Sequence, residues 1–122
     1  MISFDHERME VYQWTLEFIR VAASIRQALA PGNAGLSDQL DRASVSIALN
    51  IAEGAGEFAR REKARFYRIA RRSATESAAV LDIVHALKLA DERQINAGRA
   101  QLGKIVGSLI GLSKTMEKGP KS

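Results

Sequence analysis

Thirteen residues, Arg60 to Arg72, hold seven basic side chains (Arg60, Arg61, Lys63, Arg65, Arg68, Arg71 and Arg72) and a single acid, Glu62. That segment carries +6; with a formal total of +4, the other 109 residues sum to −2. The basicity is therefore local. At about 100° per residue, Arg61, Arg65, Arg68 and Arg72 fall within about 60° of one another on a helix. Aligned guanidiniums with few acids between them suit phosphate binding, in which each neutralised phosphate releases counterions and makes affinity depend on salt. Apart from Phe66, which belongs to the separate apolar stripe, the aromatic interleaved with these arginines is Tyr67, so neither base stacking nor sequence specificity is expected. The competing reading is a solvated face that pairs with acids of a neighbouring subunit, such as Glu10, Glu17 or Asp38.

A second set of polar residues interrupts apolar patterns. Asn50 falls on the apolar stripe of one helix candidate, and Ser73 and Glu76 fall on that of the next. Burying an amide or a carboxylate without a partner costs several kcal/mol, so partners are required. A turn centred near Phe58 sets Arg42 opposite Ala74 and Ser46 opposite Ala70. The alignment predicts an Arg42–Glu76 ion pair within a polar network of Arg42, Ser46, Asn50, Glu53, Ser73 and Glu76. Such a network is either an acid–base site or a device that fixes helix register. Register is favoured, because no nucleophile–base pair accompanies it and neither His6 nor His85 can be placed beside it.

Other chemistry is poorly supplied. With two histidines and no cysteine, the chain lacks a convincing metal-ligand set, and Asp5-His6-Glu7 reads as a solvated start. Gly54-Ala55-Gly56-Glu57 lacks the Gly-Lys-Ser/Thr ending and the preceding strand of a phosphate loop. No catalytic residue, metal site or cofactor is expected.

Four amphipathic helices must position these groups. Val11, Trp14, Phe18, Val21, Ile25 and Leu29 recur at helical spacing and predict a first helix over about 7–29, closed by Pro31, Gly32 and Gly35. Tyr12, Trp14 and Phe18 read as core or as anchors for a partner or neighbouring subunit. The second helix, about 37–54, starts at Ser37 as N-cap and carries Leu40, Ala43, Ile47, Ile51 and Gly54. The third, about 60–89, puts Phe66, Ile69 or Ala70, Ser73, Glu76 or Ser77, Val80, Ile83 or Val84, and Leu87 along one side. Asp91 with Gln94 resembles a capping box that opens a fourth helix over about 92–117, which frays into the tail Gly119–Ser122. Gly103, Gly107 and Gly111 lie four apart on that helix and form one smooth ridge. Each costs about 1 kcal/mol relative to alanine, which close helix approach within the bundle or across a subunit interface would justify. The fold class is all-α: an antiparallel up-down-up-down four-helix bundle in a single domain, 1–122.

Composition agrees with that class. Hydrophobic residues at 46% and charged residues at 26% argue against disorder. The absence of cysteine points to a reducing compartment. The polar, acidic start is unlike a secretory leader, and no run of about 20 apolar residues occurs. A cytoplasmic protein that does not enter the membrane is expected.

The run Arg42-Ala43-Ser44-Val45-Ser46-Ile47-Ala48-Leu49-Asn50-Ile51-Ala52-Glu53-Gly54, followed by Phe66, Ile69-Ala70, Ser73 and Glu76, resembles the 23S rRNA intervening sequence proteins, the S23 ribosomal-protein-like family. Their hallmark is Ser-Ile-x-x-Asn-Ile-Ala-Glu-Gly, then Phe, then Ile-Ala-x-x-Ser-x-x-Glu. This chain departs by carrying Arg72 before Ser73, where relatives often have glycine, and Ser77-Ala78-Ala79-Val80 after Glu76. The resemblance implies a homopentamer of four-helix bundles around a central channel. It also implies likeness to the accessory variability proteins of diversity-generating retroelements, basic pentamers that engage nucleic acid and reverse transcriptase. A non-enzymatic oligomer that binds the RNA or DNA backbone through the third helix is therefore expected. The alternative is a purely structural or protein-interaction module, such as an accessory subunit for a partner protein.

Overall fold

In a computed structural model that describes residues 3–118, the chain forms four α-helices and, among the described residues, no strand. They are α1 Glu10–Ala28, α2 Ala34–Gly56, α3 Arg60–Ala86 and α4 Glu92–Glu117. The tail Gly119–Ser122 lies outside the described residues. Helices α1 and α3 each pack on both α2 and α4, whereas the backbones of α1 and α3, like those of α2 and α4, do not approach each other closely. The four helices thus close a cycle around one core.

The apolar stripes explain that cycle. Val11, Phe18 and Ile25 of α1 meet Leu40, Ile47 and Ile51 of α2 and Ile95, Leu102, Ile105 and Leu109 of α4 in a single cluster. Two buried hydroxyls are satisfied within their own helices: Thr15 donates to the Val11 carbonyl at 2.7 Å and Ser113 to that of Leu109 at 2.8 Å.

The contribution of α3 differs from the sequence expectation. Its buried residues are Ala64, Tyr67, Ala70, Ala74, Ser77, Val80, Leu81 and Val84. Of the expected stripe, Ala70, Ser77, Val80 and Val84 are buried, whereas Phe66, Ile69, Ser73 and Glu76 are turned to one side and stay partly or fully exposed. Tyr67, expected among the arginines, is only 3% exposed. Small residues face the core here because α2 and α3 approach closely. A Cβ on Gly54 would lie 2.7 Å from Tyr67 Cε1 and 3.2 Å from Phe66 Cβ.

Element boundaries differ as well. Residues Asp5–Arg8 wind a short 3-10 turn, so α1 starts at Glu10 instead of Glu7. Helix α2 starts one turn before Ser37, out of a 3-10 turn at Pro31–Asn33. Ser37 is not a cap: its carbonyl and hydroxyl accept from Arg26 Nε at 2.9 and 3.1 Å, and Arg26 also pairs with Asp41 at 3.1 Å. Asp91 does cap α4, accepting from the Arg93 amide at 2.9 Å. Helix α3 ends at Ala86, short of Leu89, because Lys88 adopts φ 56°. Bonds from the Leu89 amide to the Val84 carbonyl and from the Lys88 amide to the His85 carbonyl, both 3.0 Å, close a Schellman motif.

The glycine ridge does not pack within the chain. Gly103, Gly107 and Gly111 are exposed, with nothing within 4 Å of where a Cβ would stand. Among the described residues, no helix is long and apolar enough to cross a membrane.

Candidate functional site

Helix α3 turns its core toward Tyr67, Ala70 and Ala74, and this rotation sets Arg61, Arg65, Arg68 and Arg72 on the opposite side. Arg61 and Arg72 are exposed. With the half-buried Arg71, they make no side-chain hydrogen bond or ion pair among the described residues. Arg65 bonds Glu62 Oε2 at 3.0 Å and lies over the Phe66 ring, 4.4 Å from its centre. Arg68 pairs with Glu117 Oε1 at 2.6 Å.

Two more of the basic cluster serve the fold. Arg60 donates to the Thr115 carbonyl at 3.0 Å, so Arg60 and Arg68 tie the start of α3 to the end of α4. Lys63 donates to the carbonyls of Gly54 and Ala55 at 3.2 and 3.0 Å. Those carbonyls belong to the last turn of α2, where orphan acceptors and the negative end of the helix dipole favour a cation. A cleft lined by Arg61, Ala64, Arg68, Met116 and Glu117 opens beside the cationic face. Its shape depends on α4, 45 or more residues away in sequence, and no local pattern in α3 announces it.

The polar residues of α2 and α3 form a narrower network than expected. Ser46 Oγ and Ser73 Oγ stand 2.8 Å apart. Asn50 Nδ2 donates to the Ser46 carbonyl at 2.9 Å and its hydroxyl at 3.1 Å. Ser77 donates to the Ser73 carbonyl at 3.0 Å. The expected Arg42–Glu76 ion pair is absent among the described residues; both side chains are exposed and no burial forces them to pair. Glu53 is exposed too, and lines a separate cleft with Phe4, Asp5, His6, Ala52, Gly56 and Glu57. The His6 ring there stacks on Phe4 and meets the edge of Tyr12 at 4.5 Å between centres. No set of three or more potential metal ligands converges among the described residues.

Sequence reasoning missed several surface features. Phe58, at the turn between α2 and α3, is 100% exposed, and Leu49 is 61% exposed. The pattern of α1 hides the opposite case: Phe18 is wholly buried, while Tyr12 and Trp14 stay half-buried. The Trp14 ring carries Lys104 Nζ at 4.4 Å.

The profile of the 23S rRNA-intervening sequence protein family matches residues 7–111. Among solved structures, the chain is similar to a protein of unknown function from the S23 ribosomal protein family of Bacteroides thetaiotaomicron. The TM-score is 0.78 at 23% identity, over 86% of this chain and 99% of that one. No curated protein matches the chain.

Proposed function

The chain belongs to the 23S rRNA-intervening sequence protein family, and from that premise we propose a non-enzymatic, cytoplasmic homopentamer that binds the backbone of RNA or DNA. Each subunit is a single antiparallel up-down-up-down bundle. Contacts between the start of α3 and the end of α4, and between Asp82 late in α3 and Arg99 early in α4, support that topology. The observation that carries the binding reading is the cationic side of α3, where Arg61 and Arg72 stand exposed without an acidic partner among the described residues. Phosphates satisfy guanidiniums in pairs of charge-assisted bonds, and five copies of the face multiply avidity without new contacts. Arg65 and Arg68 add charge at the cost of loosening Glu62 and Glu117, and Arg60 and Arg71 flank them.

A protein-interaction module is the second reading. The exposed Phe58, Leu49, Ile83 and Leu87 favour it, because exposed large apolar groups anchor interfaces.

Salt-titrated binding to generic RNA and DNA separates the two. The wild-type chain is expected to bind both at low salt, with affinity falling linearly on logarithmic axes. Replacing Arg61, Arg65, Arg68 and Arg72 together by Gln is expected to abolish binding and spare the helix content. No binding by the wild-type chain at low salt refutes the nucleic-acid reading and leaves the assembly untouched. Light scattering at the mass of five chains is expected.

A further inference from the structure

We infer that the outer face of α2 on one copy of this chain packs against the outer face of α4 on the next, in a head-to-tail contact repeated around the ring. The inference rests on the proposed self-assembly and assigns the surfaces that make it.

The central stretch of α2 carries the argument. From Ala43 to Gly56 the only charge is Glu53, and the only other polar side chains are Ser44, Ser46 and Asn50. Ala43, Ile47, Ile51 and Gly54 face the core. Val45, Leu49 and Ala52 point away from it, with Val45 37% and Leu49 61% exposed. A helix that is apolar nearly all round is stable when covered all round. Here α2 has long neighbours in α1 and α3 only, so one side lacks its cover.

The charges beside this face say what covers it. Asp38 and Glu53 are exposed and form no ion pair among the described residues. Arg42 stands between them along the helix, Arg26 reaches Ser37, Lys63 reaches the Gly54 carbonyl, and His6 lines a cleft with Glu53. The acids themselves therefore carry the sign of this face only where it turns away from those bases. The outer face of α4 carries the opposite sign: Lys104, Lys114 and Lys118 are exposed, and none forms an ion pair among the described residues. Glu117, at the edge of that face, is held by Arg68. Shape agrees with charge. Gly103, Gly107 and Gly111 leave a shallow groove along α4, and Val45 and Leu49 present a ridge with the same four-residue pitch. Ridges at four-residue spacing fit grooves of that spacing in the commonest helix-packing class.

Position decides the symmetry. Helices α2 and α4 occupy opposite corners of the bundle, with no close approach of their backbones, so their outer faces point away from each other. Two different faces that meet give a heterologous contact, which propagates from copy to copy and closes when the rotation allows. A self-complementary dimer would instead put α2 on α2.

The chain has no cysteine, which gives a clean background for crosslinking. Leu49→Cys and Gly107→Cys both sit on exposed positions, and mixtures of the two single variants, co-expressed, are treated with a short bis-maleimide. The mixture is expected to give crosslinked dimers, each variant alone none, and the double variant a ladder ending at the full ring. In parallel, Gly107→Gln fills the groove and is expected to drop the light-scattering mass from the ring to one chain with unchanged circular dichroism. A wild-type ring that yields no crosslink in the mixture, crosslinks of Leu49→Cys to itself, or a Gly107→Gln ring of unchanged mass each overturns this interface and leaves the assembly reading standing. A wild-type chain of single-chain mass overturns both.

Discussion

The hydroxyls of Ser46 and Ser73 tie α2 to α3, and Asn50 holds Ser46 in place from one turn on. A neutral hydrogen bond of this kind contributes about 1 kcal/mol net, so Ser46→Ala is expected to lower denaturant stability by about that much at fixed protein concentration. Glu76→Ala is expected to change stability by less than about 0.5 kcal/mol, since Glu76 is exposed and unpaired among the described residues. A loss near 3 kcal/mol would instead reveal a buried partner. Tyr67 sets a second, pH-dependent test. Burial pushes its phenol above the ordinary value of 10.0, so between that value and the folded one the unfolded chain has lost a proton that the folded chain keeps. Stability from this group is thus complete below about pH 10 and falls as pH rises further. Tyr67→Phe keeps the ring in place, and chemical denaturation across this range is expected to show a shallower alkaline decline than in the wild type.

At the scale of elements, helix periodicity was legible and helix rotation was not. Val11, Phe18 and Ile25 of α1 and Ile95, Leu102 and Leu109 of α4 repeat every seven residues with large side chains, and all six are buried. In α3 the large side chains misled, because Phe66 and Ile69 flank the seam while Ala64, Ala70 and Ala74 occupy the core. Size marks the buried face only when helices stand at ordinary distances, and Gly54 against Tyr67 brings these two closer. Gly54→Ala is therefore expected to cost about 1–3 kcal/mol through overpacking against the Tyr67 ring, a loss measurable by chemical denaturation. A gain from better helix propensity would show that the ring yields. The end of α3 was hidden for a different reason: a lysine stands at the left-handed position where glycine is usual. Lys88→Gly removes the Cβ penalty of that conformation and is expected to raise stability by about 1 kcal/mol; an unchanged or lower melting midpoint would contradict that account.

Across the whole molecule, the cationic face was legible because its residues are neighbours in sequence, but its division of labour was not. Thr115 and Glu117, which engage Arg60 and Arg68, are 55 and 49 residues away. The carbonyls that hold Lys63 belong to the preceding helix. Nothing in the local spacing of α3 distinguishes a lysine that closes α2 from an arginine free to meet a phosphate, yet the two differ in what they contribute. Lys63→Met keeps the aliphatic stem, removes the cation from the end of α2, and is expected to cost about 1 kcal/mol of stability while leaving the salt slope of nucleic-acid binding intact. The pair Arg61→Gln and Arg72→Gln is expected to do the reverse, with unchanged melting and a slope of log affinity against log salt smaller by about 2. Measured side by side, the two variants separate the charge that holds the bundle together from the charge it presents. A slope that falls as far in Lys63→Met as in the arginine pair would erase that separation and make Lys63 a phosphate contact as well as a cap.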